Sequence, residues 1–503
     1  MLTGAIFGGC SEEKTPAPPA KSTPSVAAET KPPVAPPTTV NLPFKVEVVE
    51  VTPSTMPAIH SFASGTAGGK WLILGGRIAG LHGFGSGNDN FPRSTANTNA
   101  FVVDPVANKL LGSVDLVKNL PVPLAGALTA TNPEFDQEGN DLFILGGYGK
   151  DLQSGNLITF GTVTKVDVAG LINAIVAGNN SIAGFFTQNP APDNRLNVAG
   201  GTLKLYQNTF YLVFGQDFTG FYSIQNRDYN RAGGQFQKYT EKVRVFTLNP
   251  DLSINTFTQI DGGYDDTLPY HRRDLNVVDI IMPDGATPAA TVYGGVFMAG
   301  KVAGHLTPMD VNFLTPPTVV RSPFKQGLNH YDCMHVTVFD KASSSSFTTL
   351  LGGISQFHYD QPSNTLVQDA LDLDNGVDGL PFINTVSTIQ HGPQGAYAQF
   401  IQPKPLPGLL GTDGQFLPDS ALQKSQIFPN GVINLTGLTA RTLVGHMVGG
   451  IESFGPYSGL VKDKNPATIA SSRLFEIWIT PGASPVIPMP PLPTSTTPWP
   501  VTK

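Results

Sequence analysis

The chain reads as an all-β protein assembled from six successive repeats, and three observations lead there. Six times an apolar run ends at glycine. These are Trp71–Leu74 at Gly75-Gly76, Leu142–Leu145 at Gly146-Gly147, Tyr211–Phe214 at Gly215, Thr291–Tyr293 at Gly294-Gly295, Thr349–Leu351 at Gly352-Gly353 and His446–Val448 at Gly449-Gly450. Each run is too short for a helix, is rich in branched and aromatic residues, and stops at a residue that tolerates positive φ. That is the pattern of a buried strand feeding a sharp turn, and its recurrence is the mark of a repeat architecture. Composition agrees: of 503 residues only 14% are charged, against about 25% in an average domain, while Gly (54) and Pro (44) abound. Many strands joined by turns suit such a chain better than a helical bundle.

In chain order, residues 1–10 are an apolar, small-residue stretch ending at Cys10. This resembles the lipobox of a bacterial lipoprotein, in which the cysteine is acylated; Ser11 beside it implies outer-membrane sorting. Residues 11–43 are nearly all Pro, Ala, Thr, Ser, Lys and Glu, too poor in apolar surface to fold, so a disordered, extended linker is expected. Phe44–Val51 alternates with period two and is expected to complete the last repeat beside the Phe475–Thr480 strand. Within the body, His60–Ala63, Asn194–Val198, His271–Val278, His330–Val338 and His391–Ala398 each read as the opening of a strand ahead of or between landmarks. Ala100–Asp104, Thr162–Asp167, Lys242–Thr247 and Ser472–Ile479 read as later strands of their units. Landmarks lie further apart than the ~50 residues of a kelch repeat, which implies insertions; residues of about 403–430, rich in Pro, Gly and Gln, are the plainest. Residues 482–503 read as a Pro-rich tail.

A first strand opening near His or Arg, a second ending in Gly-Gly, then a third and an outer strand resemble the kelch repeat. The resemblance covers about residues 44–481 and implies a six-bladed β-propeller of the galactose-oxidase-like kind. Physics is in accord, since a four-stranded sheet with two apolar faces has nothing to pack on alone, whereas a closed ring buries every face.

A propeller places the starts of its innermost strands around a channel. His60, Asn194, Arg195, His271, Arg272, His330 and His391 are therefore candidates for the channel mouth, where they would bind a ligand or merely tie strand ends and water. No cofactor is expected, with a metal at the channel left as the alternative. Aromatic or His side chains also recur a few residues past the landmarks: His82, Phe84, Tyr222, His305, His358, Tyr359 and Tyr457. They would build a loop rim that stacks a sugar or docks a protein, or else plug the gaps between blades. Asp274 and Asp332 read as strand-end ion pairs near Arg272, Arg273 and His335.

Net charge is −7 with no basic tract, which excludes nucleic acid as an expected partner. No apolar run of about 18 residues suggests a membrane span, leaving a lipid on Cys10 as the expected membrane contact. Cys333 is the only other cysteine, so an internal disulfide in the exported domain is excluded. A Ser-His-Asp signature, a P-loop and paired-Cys metal motifs are missing, and no catalytic residues are assigned. The sequence therefore points to a cell-envelope lipoprotein, at the outer membrane or cell surface, whose propeller binds protein or glycan through its loop face. The alternative is an exported enzyme on the same scaffold. It would be carbohydrate-active, or a copper-radical oxidoreductase using residues such as Tyr270, His271, His330, Tyr331 and Cys333.

Overall fold

The computed structural model describes residues 37–83, 90–222, 236–262, 269–298, 303–314, 316–370, 372, 377–458 and 466–494. Cys10, Phe84 and most of the linker lie outside them. The described chain is all-β and propeller-like, a succession of antiparallel up-and-down sheets. The first runs Ala63–Ala67, Lys70–Leu74, Asn99–Asp104, Lys109–Asp115, and the second Glu134–Glu138, Asp141–Leu145, Val163–Asp167, Phe186–Gln188. The third is Thr202–Tyr206, Thr209–Val213, Lys242–Leu248, Ile254–Asp261, and the fourth Arg273–Ile281, Pro288–Val296, Met309–Asn312, Thr318–Arg321. A fifth, Met334–Asp340, Ser345–Leu351, Val386–His391, Tyr397–Ile401, joins the sixth through two residue pairs at Phe400 and Ile401. The sixth comprises Leu409–Pro418, Thr442–Ser453 and Leu474–Pro488. Val40–Val51 is its outer strand, with Lys45 opposite Thr480 and Val51 opposite Leu474.

Apolar clusters lie between consecutive sheets. Leu72 and Val102 of the first sheet pack with Leu142 and Ile144 of the second; Leu145 and Val163 of the second pack with Leu212 and Phe246 of the third. Val213 of the third meets Val277 and Val292 of the fourth. Val278 and Tyr293 of the fourth meet Leu350 and Ile389 of the fifth. Phe347 and Leu351 of the fifth meet Met447 and Phe475 of the sixth. Val448 and Leu474 of the sixth meet Trp71 and Ile73 of the first. The series thus returns to its start, and burying each such side chain contributes roughly 1.5–3 kcal/mol.

The landmark glycines stitch these neighbours together. Gly76 N–H donates to the Ala130 carbonyl, Gly147 to Val198, Gly215 to Arg272, Gly353 to Leu410 and Gly450 to Ile59, each reaching the segment that opens the next sheet. Backbone approach this close leaves no room for a side chain. A Cβ on Gly352, at φ +67, would lie 2.0 Å from the Leu410 carbonyl oxygen, and one on Gly146 2.1 Å from that of Val198.

Four expectations change. Asn194–Leu196 is a 3₁₀ turn capped by Asp193, not a strand opening, and His391 ends the third strand of its sheet instead of beginning one. The stretch read as an insertion supplies the innermost strand of the sixth sheet, Leu409–Pro418; its Gly and Gln hide the apolar alternation. The tail begins later than expected, because the strand runs to Pro488 and Met489 and Leu492 pack near Leu328 and Phe357. A helix, Val168–Val176, also covers the seam between the first two sheets, capped by the Asp167 carboxylate on Gly170 N–H.

Candidate functional site

Just ahead of or within the first strand of each sheet, one residue adopts a left-handed backbone: Ser61, Asn132, Gly200, Asp274, Asp332 and Asp413. Gly, Asn and Asp tolerate this conformation best. They are linked head to tail. The N–H of Asn132 donates to the Ser61 carbonyl (3.1 Å), Gly200 to Asn132 (3.3 Å), Asp274 to Gly200 (2.7 Å), Asp413 to Asp332 (2.8 Å) and Ser61 to Asp413 (2.9 Å).

On one side of this ring lies a cavity of about 340 Å³ lined by the innermost strands. On the other lies a cavity of about 130 Å³ at the mouth. The repeat itself builds the mouth. The residue preceding each ring position pairs with the residue following each landmark: His60 with Arg77, Thr131 with Tyr148, Ala199 with Gln216, Arg273 with Val296, Tyr331 with Ile354 and Thr412 with Ile451. All twelve line the mouth cavity.

Above them stands an aromatic wall. His82 lies 4.7 Å from Phe91 and 4.6 Å from Tyr222 between ring centroids, and Phe91 meets Tyr148 edge to face at 5.3 Å. Packing there lowers His82 to about 4, chiefly by desolvation, so the ring is neutral at pH 7. Two arginines underpin the wall, Arg77 over the Phe91 face (4.5 Å) and Arg273 over that of Phe297 (4.9 Å). Arg273 also donates to Tyr239 Oη and to Tyr222 Oη (3.1 Å) and pairs with Asp274 (3.3 Å). Although burial opposes its charge, those tyrosines and Asp274 raise its pKa further.

The floor carries three carboxyl groups. Burial alone would raise Asp413, but hydrogen bonds from Asp332, His60 and Ser61 outweigh it and hold Asp413 at about 2. Burial and the neighbouring Asp413 charge push Asp332 well above the usual carboxyl range, so Asp332 is the protonated donor of the pair. Asp274 is raised to about 6 by burial, with Arg273 opposing. Ser61 Oγ donates to Asp413 Oδ2 (2.7 Å), and His60 Nδ1 lies 2.8 Å from Ser61 Oγ and 3.3 Å from Asp413 Oδ2. Among the described residues, no three His, Cys, Asp or Glu side chains are grouped to hold a metal.

Of the residues singled out from the sequence, the structure brings His60, His82, Tyr222 and Tyr457 to the mouth cavity. The others lie elsewhere. Arg195 is a surface side chain paired with Asp193 (2.6 Å), and Asn194 sits on the same turn. Arg272 is fully buried and donates to the carbonyls of Pro269, Gly294 and Thr307. His271 bonds Glu241 (2.7 Å), and His305 Nε2 meets the His271 carbonyl (2.9 Å). His330 is spent between the Gly352 carbonyl and Ser387 Oγ; His391 stacks on Tyr397 near Asp310. His358 and the Tyr457 hydroxyl converge on Asp369, while Tyr359 bonds Asn364. Asp274 makes the expected ion pair, but Asp332 faces a carboxylate instead of an arginine. The copper-radical set does not assemble either: Tyr270 packs on Phe214, and Cys333 on Val278 and Leu350. Arg77, Phe91, Arg273, Phe297 and Asp413 are the mouth residues that sequence reading passed over. The available signal was the position directly after each landmark.

No family model matches this sequence, and no curated protein matches it. A solved structure described as "Structure of YjhT" is 11% identical, with a TM-score of 0.45, covering 83% of this chain and 95% of that one. A likeness of that degree carries no functional inference.

Proposed function

We propose that the six sheets are the blades of a closed, kelch-type six-bladed β-propeller acting as an exported binding module, with a glycan or protein taken at the mouth. The supporting observation is the mouth cavity, where aromatic rings held by two buried arginines stand over a polar floor. That combination of apolar faces and a few placed polar groups is how ligand sites are built. Phe91 and Phe297 are half-buried and face the cavity, so each can be truncated with little cost to the core. Screening the protein against glycan and protein arrays, then repeating with Phe91→Ala and Phe297→Ala, tests the reading. Binding that both variants leave unchanged would place the partner elsewhere.

Tethering through Cys10 and the linker completes the proposal, with the propeller held off a membrane at the cell envelope. Intact-mass measurement of membrane-extracted protein checks it: an acylated Cys10 with loss of residues 1–9 is expected, and Cys10→Ser should abolish both.

A second reading, a carbohydrate-active enzyme on the same scaffold, is favoured by the Asp332–Asp413 pair. One carboxyl is driven up and its partner down, which is how an acid and a base are set side by side.

A further inference from the structure

We propose that the cavity floor recognises a hydroxyl on a single uncharged, six-membered ring, with His60 Nε2 accepting its proton in a hydrogen bond and Thr412 Oγ1 completing the contact. The inference rests on the mouth being the binding site and names the ligand class it takes.

The tautomer of His60 follows from its neighbours. Ser61 has one hydroxyl proton, which it gives to Asp413 Oδ2; its oxygen is then an acceptor 2.8 Å from His60 Nδ1. Asp413, ionised, can only accept. Nδ1 therefore carries the proton, and Nε2 presents a lone pair. His60 is 3% exposed, lines the cavity, and its Nε2 has no partner in the protein. Thr412 is also 3% exposed and lines the same cavity, and its Oγ1 has no partner. Leaving two buried polar atoms unmatched is costly, so their exposure to the cavity calls for a guest that matches them.

The match is selective. A lone pair on Nε2 needs a donor, and the threonine hydroxyl can give or take, so a ligand hydroxyl satisfies both at once. A ligand carboxylate would offer no donor, and it would face the Asp413 charge. Size points to one ring, because a cavity of about 150 Å³ accommodates a benzene-sized guest and this one is about 130 Å³. The aromatic wall then supplies a face on which the C–H side of a pyranose can stack.

The full chain should be titrated calorimetrically with methyl pyranosides of glucose, galactose and mannose, their monodeoxy analogues and glucuronic acid. At least one neutral pyranoside binds, the acid binds more weakly, and one deoxy analogue loses about tenfold in affinity, the size of one well-made hydrogen bond. Thr412→Val and His60→Ala each lower affinity about tenfold and abolish discrimination against that deoxy analogue, a readout that altered folding does not produce. Melting curves confirm both variants are folded, and near-isosteric Thr412→Val carries the test if His60→Ala is not. Variants that keep the wild-type preference, or an acid that binds more tightly than its neutral counterpart, overturn the inference. If Phe91→Ala and Phe297→Ala lose pyranoside binding while Thr412→Val and His60→Ala do not, this inference falls and the mouth reading stands. Should wild type bind no pyranoside, the cavity holds only water and the inference falls, while protein binding lost in the Phe variants would still uphold the mouth.

Discussion

His330 and His60 each stand ahead of the first strand of a sheet, both buried, and they differ in what remains of their hydrogen bonding. His330 lies in the seam between fifth-sheet strands. Its Nδ1 meets the carbonyl of a landmark glycine, Gly352 (2.6 Å), and its Nε2 meets Ser387 Oγ (2.8 Å). Burial lowers it to about 4, so it is a neutral strut. His60 spends one nitrogen on Ser61 and Asp413 and turns the other toward the mouth cavity unmatched. Seam chemistry is consumed in joining the sheets, whereas mouth chemistry is left over for something else. The same residue type in nearly the same register thus tells little about function until its second nitrogen is accounted for.

The contrast can be pressed hardest at the seam. Gly352→Ala drives a Cβ into the Leu410 carbonyl at a left-handed position, and should cost about 3–5 kcal/mol in urea unfolding. A loss under about 1 kcal/mol would show that the glycine pairs do not stitch the sheets. His330→Ala leaves two buried groups unsatisfied and should cost about 3 kcal/mol. His60→Ala, whose ring makes fewer bonds, should cost no more than about half as much. Equal losses would erase the distinction between strut and reader.

A pH titration sharpens the comparison at intermediate size. Asp274 is raised from 3.8 to about 6, principally by burial. A carboxyl that holds its proton more tightly when folded favours the folded state below about pH 4, and that contribution is lost as pH rises through 6. Asp136, also raised to about 6 by burial, acts with the same sign. Stability should therefore decline from pH 4 to 7. Asp274→Asn should remove part of the decline, about 1–3 kcal/mol, and match wild type more closely at pH 4. An unchanged slope in the variant would mean that the floor carboxyl titrates normally. The smallest effect is expected at Gly68, left-handed but with open space around it; Gly68→Ala should cost only about 1–2 kcal/mol.

Much of the scaffold was legible because a buried strand ending at glycine leaves a strong local trace. Trp71–Leu74 and Leu142–Leu145 lie within second strands of their sheets, and Ala100–Asp104 and Lys242–Thr247 within third strands. Leu409–Pro418 escaped notice because Gly411, Thr412, Asp413, Gly414 and Gln415 interrupt its apolar pattern where the strand passes the ring and cavity. The mouth was less legible for a related reason. Its lining residues share a place in the repeat but not a chemistry: Arg77, Tyr148, Gln216, Val296, Ile354 and Ile451 follow their glycines as six dissimilar side chains. Searching for recurring histidines found His60 but also His330 and His391, whose rings support the seam and an outer strand.

The pairing of Val40–Val51 with Leu474–Pro488 also has a consequence in time. The strand made early cannot find its partner until roughly 400 further residues have been added. At about 5–20 residues per second, synthesis alone keeps it waiting some tens of seconds. During that interval an alternating apolar strand stands with unpaired edges, open to pairing with another copy of itself. Joining the two ends is also the contact of greatest separation along the chain, so it belongs to the slowest class of folding events. How fast this protein matures is therefore set by its last strand.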